Sequence, residues 1–315
     1  SGVWIMAYTT IDDPSAHFNT VLYTGNGADN RSITGVGFQP DWVWYKERNN
    51  AIDHRLVDST RGATKLLFSN DTDAEFTDAN ELQAFESDGF QVGDDGSING
   101  NNDTYVAWNW KANGGTTSSN TDGSITSTVQ ANTTAGFSIV TYTGTGSNAT
   151  IGHGLGATPK TYWIKRRSSG TADWYIYHSS IGATKNLRLN KTNASSTDSG
   201  IFNDTEPTSS VFSLGSSFSN TSSKDYVAYC FAEKQGYSKF GSYTGNNSSD
   251  GAFVYTGFKP AWILFKQTQN TGGWTMKDNK RSPENPADER LLADDNPIES
   301  TGADIDFLSN GFKCR

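Results

Sequence analysis

The stretch Gly37-Phe38-Gln39-Pro40-Asp41-Trp42-Val43-Trp44-Tyr45-Lys46 decides how this chain folds. Between Asp41 and Lys46 every residue is apolar or aromatic, which predicts a β-strand covered on both of its faces. The same pattern, a Gly and a Pro followed by an aromatic strand that ends in Lys, returns in residues 154–165 and 257–266. The Pro and Lys positions keep the same two separations along the chain, so the three stretches are in register.

Other motifs on both sides of this stretch also recur. Upstream, Phe18-Asn19-Thr20-Val21-Leu22-Tyr23-Thr24-Gly25 matches residues 137–144 and, in part, residues 240–245. Downstream, Tyr105-Val106-Ala107-Trp108-Asn109-Trp110 matches residues 226–231, and residues 61–65 match residues 181–185. Ordered matches of this kind indicate internal repeats of roughly 100 residues.

The repeats set both the fold class and the domain boundaries. Short runs that alternate with a period of two and end in Gly, Asn or Asp predict an all-β chain. We predict tandem antiparallel β-sandwich repeats of the jelly-roll, concanavalin-like kind. The predicted parts are residues 1–17 as the closing strand of a preceding unit plus a linker, 18–112 as unit 1, 113–135 as a linker rich in Gly, Ser, Thr and Asn, 136–236 as unit 2, and 237–315 as unit 3, which lacks its last strand.

The first residues of the chain carry their own version of the closing strand. Val3-Trp4-Ile5-Met6-Ala7-Tyr8 fits the closing strand of residues 105–110, with its three larger side chains at the positions of Val106, Trp108 and Trp110. Two hypotheses stay open. The chain is an excerpt of a longer protein with further units, or this N-terminal strand completes unit 3.

The aligned copies also predict which strand faces are buried. In the second long strand, one face carries His54, Trp174 and Trp274 in the three copies, whereas the opposite face varies from Arg55 to Tyr175 and Thr275. A core position stays apolar in each copy while a solvent position drifts, so the even-numbered face is predicted to be the core. Packing is therefore favoured over sugar stacking for both tryptophans.

The composition argues against two classes of partner. The 315 residues carry a net charge of −9, with 19% charged residues and no stripe of Lys and Arg, which argues against binding nucleic acid. No apolar run approaches the roughly 18 residues of a membrane-spanning helix, so membrane insertion is not expected. Cys230 and Cys314 lie at non-equivalent positions, which predicts free thiols rather than a disulfide or a metal site.

The residue types of catalysis occur in the chain but not in a recurring constellation. Acidic pairs such as Asp71 with Asp73 are absent from the other copies, which favours a solvated surface over a glycosidase site. His178 and His153 lack a Gly-x-Ser-x-Gly elbow, and His178 aligns with Asp58, which indicates a polar contact at a strand end. We predict no catalytic residues and no enzyme activity.

An oxygen-rich loop raises the question of Ca²⁺. Residues 94–103 crowd Asp and Asn side chains on a turn, as calcium loops do, but lack EF-hand spacing. The counterpart at residues 215–224 is rich in Ser, so a plain polar loop is favoured. No metal and no cofactor is predicted.

These motifs resemble the uncharacterised β-rich repeat units of bacteriophage virion and tail-fibre proteins, of the type found in marine phages. The resemblance covers nearly the whole chain and carries no catalytic residue onto it. Its most specific pieces are residues 12–15, 18–27, 37–44 and 61–65, and in the third copy residues 240–245 and 257–262.

The resemblance implies a non-enzymatic structural virion protein, part of a tail fibre or another surface projection that presents loops for attachment to the host surface. Such a protein is made in the host cytoplasm and displayed on the virion surface. The implied partners are other copies of the chain, as a homotrimer, other virion proteins, and a glycan or protein of the host cell surface. The alternatives left open are a glycan-binding adhesin, a capsid-decoration protein and a polysaccharide depolymerase.

The loops that follow the aromatic strands are predicted to contact the receptor, because binding residues tend to be carried by loops on a rigid scaffold. These loops differ in length and sequence between the copies. The residues predicted at their tips are Asn49, Asn50, Ser169, Asp173, Asn270 and Thr271.

Overall fold

The computed structural model describes residues 8–315, and the chain in this range is built from β-strands. Besides strands and loops it contains a 3-10 turn (Pro14–Ala16) and two four-residue helices, α1 (Gly96–Asn99) and α2 (Ser199–Phe202). The prediction of an all-β chain is confirmed. Neither described helix has the length and apolarity that a membrane crossing requires. The strand predicted at residues 3–8 lies outside the described residues, except for Tyr8.

The first part of the chain forms a four-stranded sheet with a smaller sheet beside it. Its strands are β1 (Phe18–Thr24), β2 (Arg31–Thr34), β3 (Trp42–Glu47), β4 (Arg55–Asp58), β5 (Lys65–Leu66), β6 (Phe76–Thr77), β7 (Leu82–Glu86), β8 (Gly89–Val92) and β9 (Thr104–Trp110). Strands β1, β9, β3 and β4 pair in that order and constitute sheet 1. Strands β2, β8 and β7 form the smaller sheet. All of these ladders are antiparallel.

The middle part of the chain forms the largest sheet. Its strands are β10 (Ser118–Asn120), β11 (Ser127–Asn132), β12 (Phe137–Thr143), β13 (Ala149–Gly152), β14 (Thr161–Arg166), β15 (Tyr175–His178), β16 (Lys185–Arg188), β17 (Ser196–Thr197), β18 (Val211–Leu214) and β19 (Asp225–Phe231). Sheet 2 has the order β10-β11-β12-β19-β14-β15-β16-β17, and β13 pairs with β18 beside it. Its section β12-β19-β14-β15 has the same topology as sheet 1.

The predicted linker is part of sheet 2. Strands β10 and β11 both lie within residues 113–135, and β11 pairs with the edge of β12 from Thr128 opposite Thr141 to Asn132 opposite Phe137. The segment therefore does not run free between two sheets. Its small polar residues suit an outer strand, because the ladder uses backbone groups rather than side chains.

The last part of the chain forms a six-stranded sheet. Its strands are β20 (Phe253–Tyr255), β21 (Trp262–Lys266), β22 (Trp274–Asp278), β23 (Ala287–Leu292), β24 (Ser300–Leu308) and β25 (Gly311–Cys314). Sheet 3 has the order β20-β25-β24-β23-β22-β21, so β21 lies at its edge. The pairing of Trp262 with Asp278 corresponds to that of Trp42 with Asp58 in sheet 1.

One hydrophobic core lies between the three sheets. Trp42 and Trp108 of sheet 1, Trp163 and Tyr229 of sheet 2, and Met276 of sheet 3 all belong to it. The rings of Trp42 and Tyr229 stack with their centroids 4.3 Å apart, a direct aromatic contact between two sheets. Apolar faces that an isolated sheet would expose are therefore covered by neighbouring sheets of the same chain.

The opposite faces of the sheets have cores of their own. Sheet 1 packs on the smaller sheet through residues such as Val57 and Phe90. Sheet 2 packs on the β13–β18 pair through residues such as Tyr177 and Phe212. Strands near the middle of these sheets are consequently buried on both sides, which confirms the prediction for β3.

The prediction that only the even-numbered face of the second long strand forms a core is wrong. Arg55 and Val57 of β4, and Tyr175 and Tyr177 of β15, are buried although they lie on the odd-numbered face. That face meets the second layer, whereas the even-numbered face meets the shared core. Burial can be satisfied by different residues in each copy, so variation between copies did not mean exposure.

Both cysteines are free thiols, as predicted. Burial raises the pKa of the Cys230 thiol well above its ordinary value. A thiol that stays protonated at neutral pH is a poor nucleophile and a poor metal ligand, so Cys230 serves as a small core residue.

Candidate functional site

The residues predicted to contact a receptor lie on three equivalent loops of the structure. These loops span residues 48–54 between β3 and β4, 167–174 between β14 and β15, and 267–273 between β21 and β22. Asp173 is half-buried, and the other five predicted residues are exposed, namely Asn49, Asn50, Ser169, Asn270 and Thr271.

Each of the three loops is fixed to a segment of another part of the chain by backbone hydrogen bonds. The amide of Glu75, in the first part of the chain, donates to the carbonyl of Arg167 in the loop of sheet 2 at 2.9 Å. The amide of Gly272, in the loop of sheet 3, donates to Thr192 of the second part of the chain at 2.9 Å. The amide of Glu299 donates to Arg48, in the loop of sheet 1, at 2.7 Å.

These contacts form a closed cycle. The loop of sheet 2 binds the first part of the chain, the loop of sheet 3 binds the second part, and the loop of sheet 1 binds the third part. We call the three loops and the segments that they contact, residues 71–75, 192–195 and 296–299, the loop ring. The bases of the loops are held by the ring, while their tips remain at the surface.

Three lysines that recur at the ends of the aromatic strands hold the loop ring from inside. The ammonium of Lys165 donates to the carbonyl of Ala172 at 2.6 Å, and that of Lys46 donates to Asn50 at 3.0 Å. Lys266 donates to Thr192 at 3.0 Å. Burial lowers the pKa of both Lys46 and Lys165 to about 8. The recurrence of Lys was visible in the sequence, but its role in capping loop carbonyls was not predicted.

A buried cluster of charges, which includes Glu75 of the loop ring, connects the first part of the chain to the second. Arg61, whose side chain is fully buried, pairs with the carboxylate of Asp58 and with Glu75 at 2.9 Å. Glu75 also accepts from the Nε atom of Arg167 at 2.8 Å. The hydroxyl of Tyr229 donates to Asp58 at 2.7 Å. Arg167 and Tyr229 of the second part of the chain therefore complete a charge cluster of the first part.

A matching cluster connects sheet 3 to sheet 1. Arg281 pairs with Asp278 at 2.5 Å and with Glu299 at 2.7 Å. Glu299 accepts from Arg48 at 2.6 Å, and the indole Nε1 of Trp108 donates to Asp278 at 3.1 Å. The sequence comparison missed both clusters, because it aligned Arg61 with Ile181 of the second copy and did not extend the motif to the third.

The exposed tips of the loops carry amides and hydroxyls. Asn49 donates to Asp103 at 2.9 Å and accepts from the amide of Thr104 at 2.7 Å, and Asn50 donates to the same Asp103 at 3.0 Å, so both asparagines of this tip are held in place. Ser169 accepts from Lys224 at 3.3 Å. A tip of this kind offers hydrogen-bond donors and acceptors to a polar ligand at little cost of ordering.

Asp173 has a structural role at the base of its loop. Its carboxylate accepts from Asn190 at 2.8 Å and from Lys191 at 2.9 Å, and pairs with Arg188 at 3.1 Å. Burial would raise the pKa of Asp173, but these hydrogen bonds and charges outweigh burial and lower it. The structure thus places Asp173 apart from the exposed tip residues.

Hydrogen bonds within the fold engage the side chains of His178, Trp174 and Trp274. The Nδ1 atom of His178 accepts from the amide of Ser180 at 3.1 Å, which is the predicted contact at a strand end. Trp174 and Trp274 are buried, as predicted, and their indole Nε1 atoms donate to backbone carbonyls.

An acidic cluster lies beside the oxygen-rich loop of residues 94–103. Carboxylate oxygens of Asp78, Glu81 and Asp95 all lie within 4.8 Å of one another. Glu81 pairs with Arg55 at 3.2 Å, and Asp95 accepts from the amide of Ser97 at 2.7 Å as the N-cap of α1. These bonds give Glu81 and Asp95 structural roles within the fold.

The fold and the loop ring together define an all-β protein in which three antiparallel sheets enclose one core and carry three fixed loops. The chain belongs to a domain family of unknown function, DUF7483, whose model matches residues 13–315. No curated protein and no solved structure matches the chain.

Glu75 provides a test of the charge cluster that depends on pH. Burial would raise its pKa, but hydrogen bonds from Arg167 and the charge of Arg61 hold the pKa below the ordinary glutamate value. Stability from such a group is present above the ordinary pKa and is lost as the pH falls through the lowered pKa of the folded protein. We expect Glu75→Gln to lower the free energy of unfolding at neutral pH by roughly 1.5 to 3 kcal/mol.

The pH dependence of this loss of stability distinguishes the effect of the Glu75 charge from the effect of the side-chain shape. In urea unfolding at a series of pH values, the difference between the two proteins should shrink as the pH falls below the ordinary glutamate pKa. Glu233→Gln is the matched control, because Glu233 pairs with Lys239 at the surface. A difference that is equal at neutral and acidic pH would contradict the assignment.

Proposed function

We propose that the chain is a non-enzymatic structural protein of a bacteriophage virion, part of a tail fibre or another surface projection that presents loops to the host surface. The observation that carries this proposal is the loop ring, in which three equivalent loops have bases fixed to other parts of the chain and tips at the surface. Fixed loops on a rigid scaffold suit recognition. The resemblance of the repeated motifs to phage virion and tail-fibre units supports the virion as the location of the protein.

The proposal includes a repeat architecture. We infer that residues 18–112, 136–236 and 237–315 are three copies of one jelly-roll-like, concanavalin-like β-sandwich. The shared topology of sheet 1 and of the section β12-β19-β14-β15 supports this inference, as does the second layer beside each of them. The matching pairings of β3 with β4 and of β21 with β22 extend it to the third copy.

The proposed partners are other copies of the chain as a homotrimer, other virion proteins, and a glycan or protein of the host surface. Both faces of the doubly apolar strand β3 are covered within this chain. Contacts between chains would therefore use other surfaces, such as the exposed aromatic side chains of Phe218 and Phe253.

Electron microscopy of intact virus particles tests the proposal. A gold-labelled antibody raised against this chain is expected to label distal fibres or other projections. Label spread over the head would instead favour a capsid-decoration protein. The absence of label from every particle, with label on cell surfaces, would contradict a virion role and favour a cellular adhesin.

A glycan-binding adhesin is the second candidate, because the exposed loop tips carry amides and hydroxyls. We would measure binding of the chain to a glycan array, with free sugars as competitors. Loss of binding in Asn270→Ala or Asn50→Ala, but not in the control Asn148→Ala at an exposed position outside the three loops, would favour this candidate. Release of new reducing ends from a polysaccharide would favour the depolymerase alternative instead.

A further inference from the structure

Within residues 8–315, strand β21 has a free edge that its equivalents in the other sheets do not have. In sheet 1, β3 lies between β9 and β4, and in sheet 2, β14 lies between β19 and β15. Among residues 8–315, β21 pairs only with β22. All six residues of β3 are buried, whereas all five residues of β21 are only half-buried. An unpaired edge with apolar side chains favours the addition of another strand.

In the described part of the chain, the segment on the far side of the gap also has no partner strand. Residues 240–245 correspond in sequence to β1 and β12, but they form no strand in the described part of the chain. Tyr243 is 41% exposed, whereas its counterpart Tyr142 is 4% exposed. In sheets 1 and 2 one strand, β9 or β19, lies between the two elements and pairs with both.

A groove of about 1810 Å³ occupies this position in the third part of the chain. Its walls include Phe240 and Tyr243 on one side and Trp262 and Leu264 on the other. Ile181 of the second part of the chain contributes to the groove as well. The groove therefore has the position, the apolar walls and the free backbone edge that a single β-strand needs.

We propose that residues 3–8 of the same chain bind in this groove as an antiparallel β-strand paired with β21. In sheet 1, Trp42 faces Trp110 and Trp44 faces Trp108. The equivalent register places Tyr8 opposite Trp262 and Met6 opposite Leu264. Six residues of strand span about 20 Å, which is enough to cover the five residues of β21.

The position of Tyr8 supports residues 3–8 as the occupant. Its hydroxyl donates to the carbonyl of Gly257 at 3.1 Å, so the end of the segment is held close to the start of β21. The next residue, Thr9, lies against Gly236, where an added Cβ atom would be 2.9 Å from the Thr9 side chain. An antiparallel strand in the proposed register must place its C-terminal end near Trp262, which is the end where Tyr8 is found.

The chemical type of the Met6 side chain suits the part of the chain that it would contact across the groove. Tyr229 and Trp108 occupy this position in β19 and β9, and each donates a hydrogen bond to an Asp that is paired with a buried Arg. At the third junction the Arg position is taken by Ile181, which lines the groove. A Met at this position has no hydrogen-bond donor, so it suits a junction without the Asp–Arg pair.

A disulfide between the segment and β21 tests the proposal in the full-length chain. We would combine Met6→Cys with Leu264→Cys, after Cys314→Ser, and analyse mild oxidation by non-reducing electrophoresis and peptide mass mapping. Directly opposed residues of paired strands meet the distance that a disulfide requires. The control combines Met6→Cys with Phe265→Cys, because Phe265 points to the other face of β21.

The expected result is a cross-link within one chain that forms at least about ten-fold faster for Leu264 than for Phe265. A cross-link between two chains would overturn the proposal and show that a second copy supplies the strand. Equal or absent cross-linking at both positions would overturn it too.

Hydrogen exchange gives a second readout that does not depend on added cysteines. The amides of β21 that point away from β22 should exchange at least about ten-fold more slowly in the unaltered chain than in the full-length variant Trp4→Asp/Met6→Asp. Gly2→Asp, outside the proposed strand, should leave their exchange unchanged. Unchanged exchange in the double variant would contradict pairing with β21, provided that near-ultraviolet circular dichroism shows that the rest of the fold is intact.

Discussion

Replacement of Arg61 by Ala is expected to lower the free energy of unfolding by about 3 to 5 kcal/mol. The side chains of Arg61 and Asp58 are both fully buried, and Arg61 also pairs with Glu75. Loss of the guanidinium leaves the Asp58 carboxylate in the interior with only its remaining hydrogen bonds. Urea unfolding followed by tryptophan fluorescence measures the loss.

Two control variants separate the buried charge from other effects. Lys239→Ala removes a partly exposed ion pair with Glu233 and should change stability by less than about 1 kcal/mol. The double variant Asp58→Asn/Arg61→Met removes both buried charges and should cost clearly less than Arg61→Ala alone. If Arg61→Ala cost no more than Lys239→Ala, the cluster would not connect the first two parts of the chain as described.

Replacement of Trp42 by Ala is expected to cost about 3 to 5 kcal/mol as well. Its ring is fully buried and lies 4.3 Å from Tyr229 and 4.4 Å from Trp110, measured between ring centroids. The cavity would open between sheets 1 and 2 rather than inside one sheet. Differential scanning calorimetry should therefore show the whole transition moving to lower temperature.

Ile298→Ala is the matched control for Trp42→Ala. Ile298 is 52% exposed, so its truncation should change stability by no more than about 0.5 kcal/mol. If Trp42→Ala split the thermal transition, so that only part of the heat absorption moved, the sheets would be unfolding separately and the account of Trp42 would be wrong.

The sequence was sufficient to predict the aromatic strands and their principal burial. Residues 42–45 were apolar at every position, and β3 is indeed covered on both faces. The tryptophans at 174 and 274 were aligned on the predicted core face and are buried. Periodicity reports whether a side chain is buried, so these features follow from local patterns.

The arrangement of the sheets around one core could not be predicted in the same way. An apolar face must be covered, but its pattern does not say whether the cover is another layer of the same unit or a neighbouring unit. The odd-numbered face of β4 was judged from its variation between copies, and the second layer that covers it was missed. Residues 113–135 were predicted to be a linker from their composition. Composition does not indicate whether backbone groups pair, as they do in β10 and β11.

The candidate site was predicted in part. The six predicted residues were placed on loops, and all six lie on the three loops that join the ring, with Asp173 at the base of its loop. The docking of the loop bases depends on backbone groups and on charges from two different parts of the chain, such as Glu75 with Arg167. Contacts between distant parts of the chain leave no spacing pattern in a single sequence, so they became visible only in three dimensions.

The central claim is that three sheets unfold as one body because they share one core. The most direct test is the ratio of calorimetric to van't Hoff enthalpy in the thermal unfolding of the unaltered chain. A ratio of about one, with a single transition, is the predicted result. A ratio of about three, with transitions that can be assigned to separate parts of the chain, would contradict the shared core.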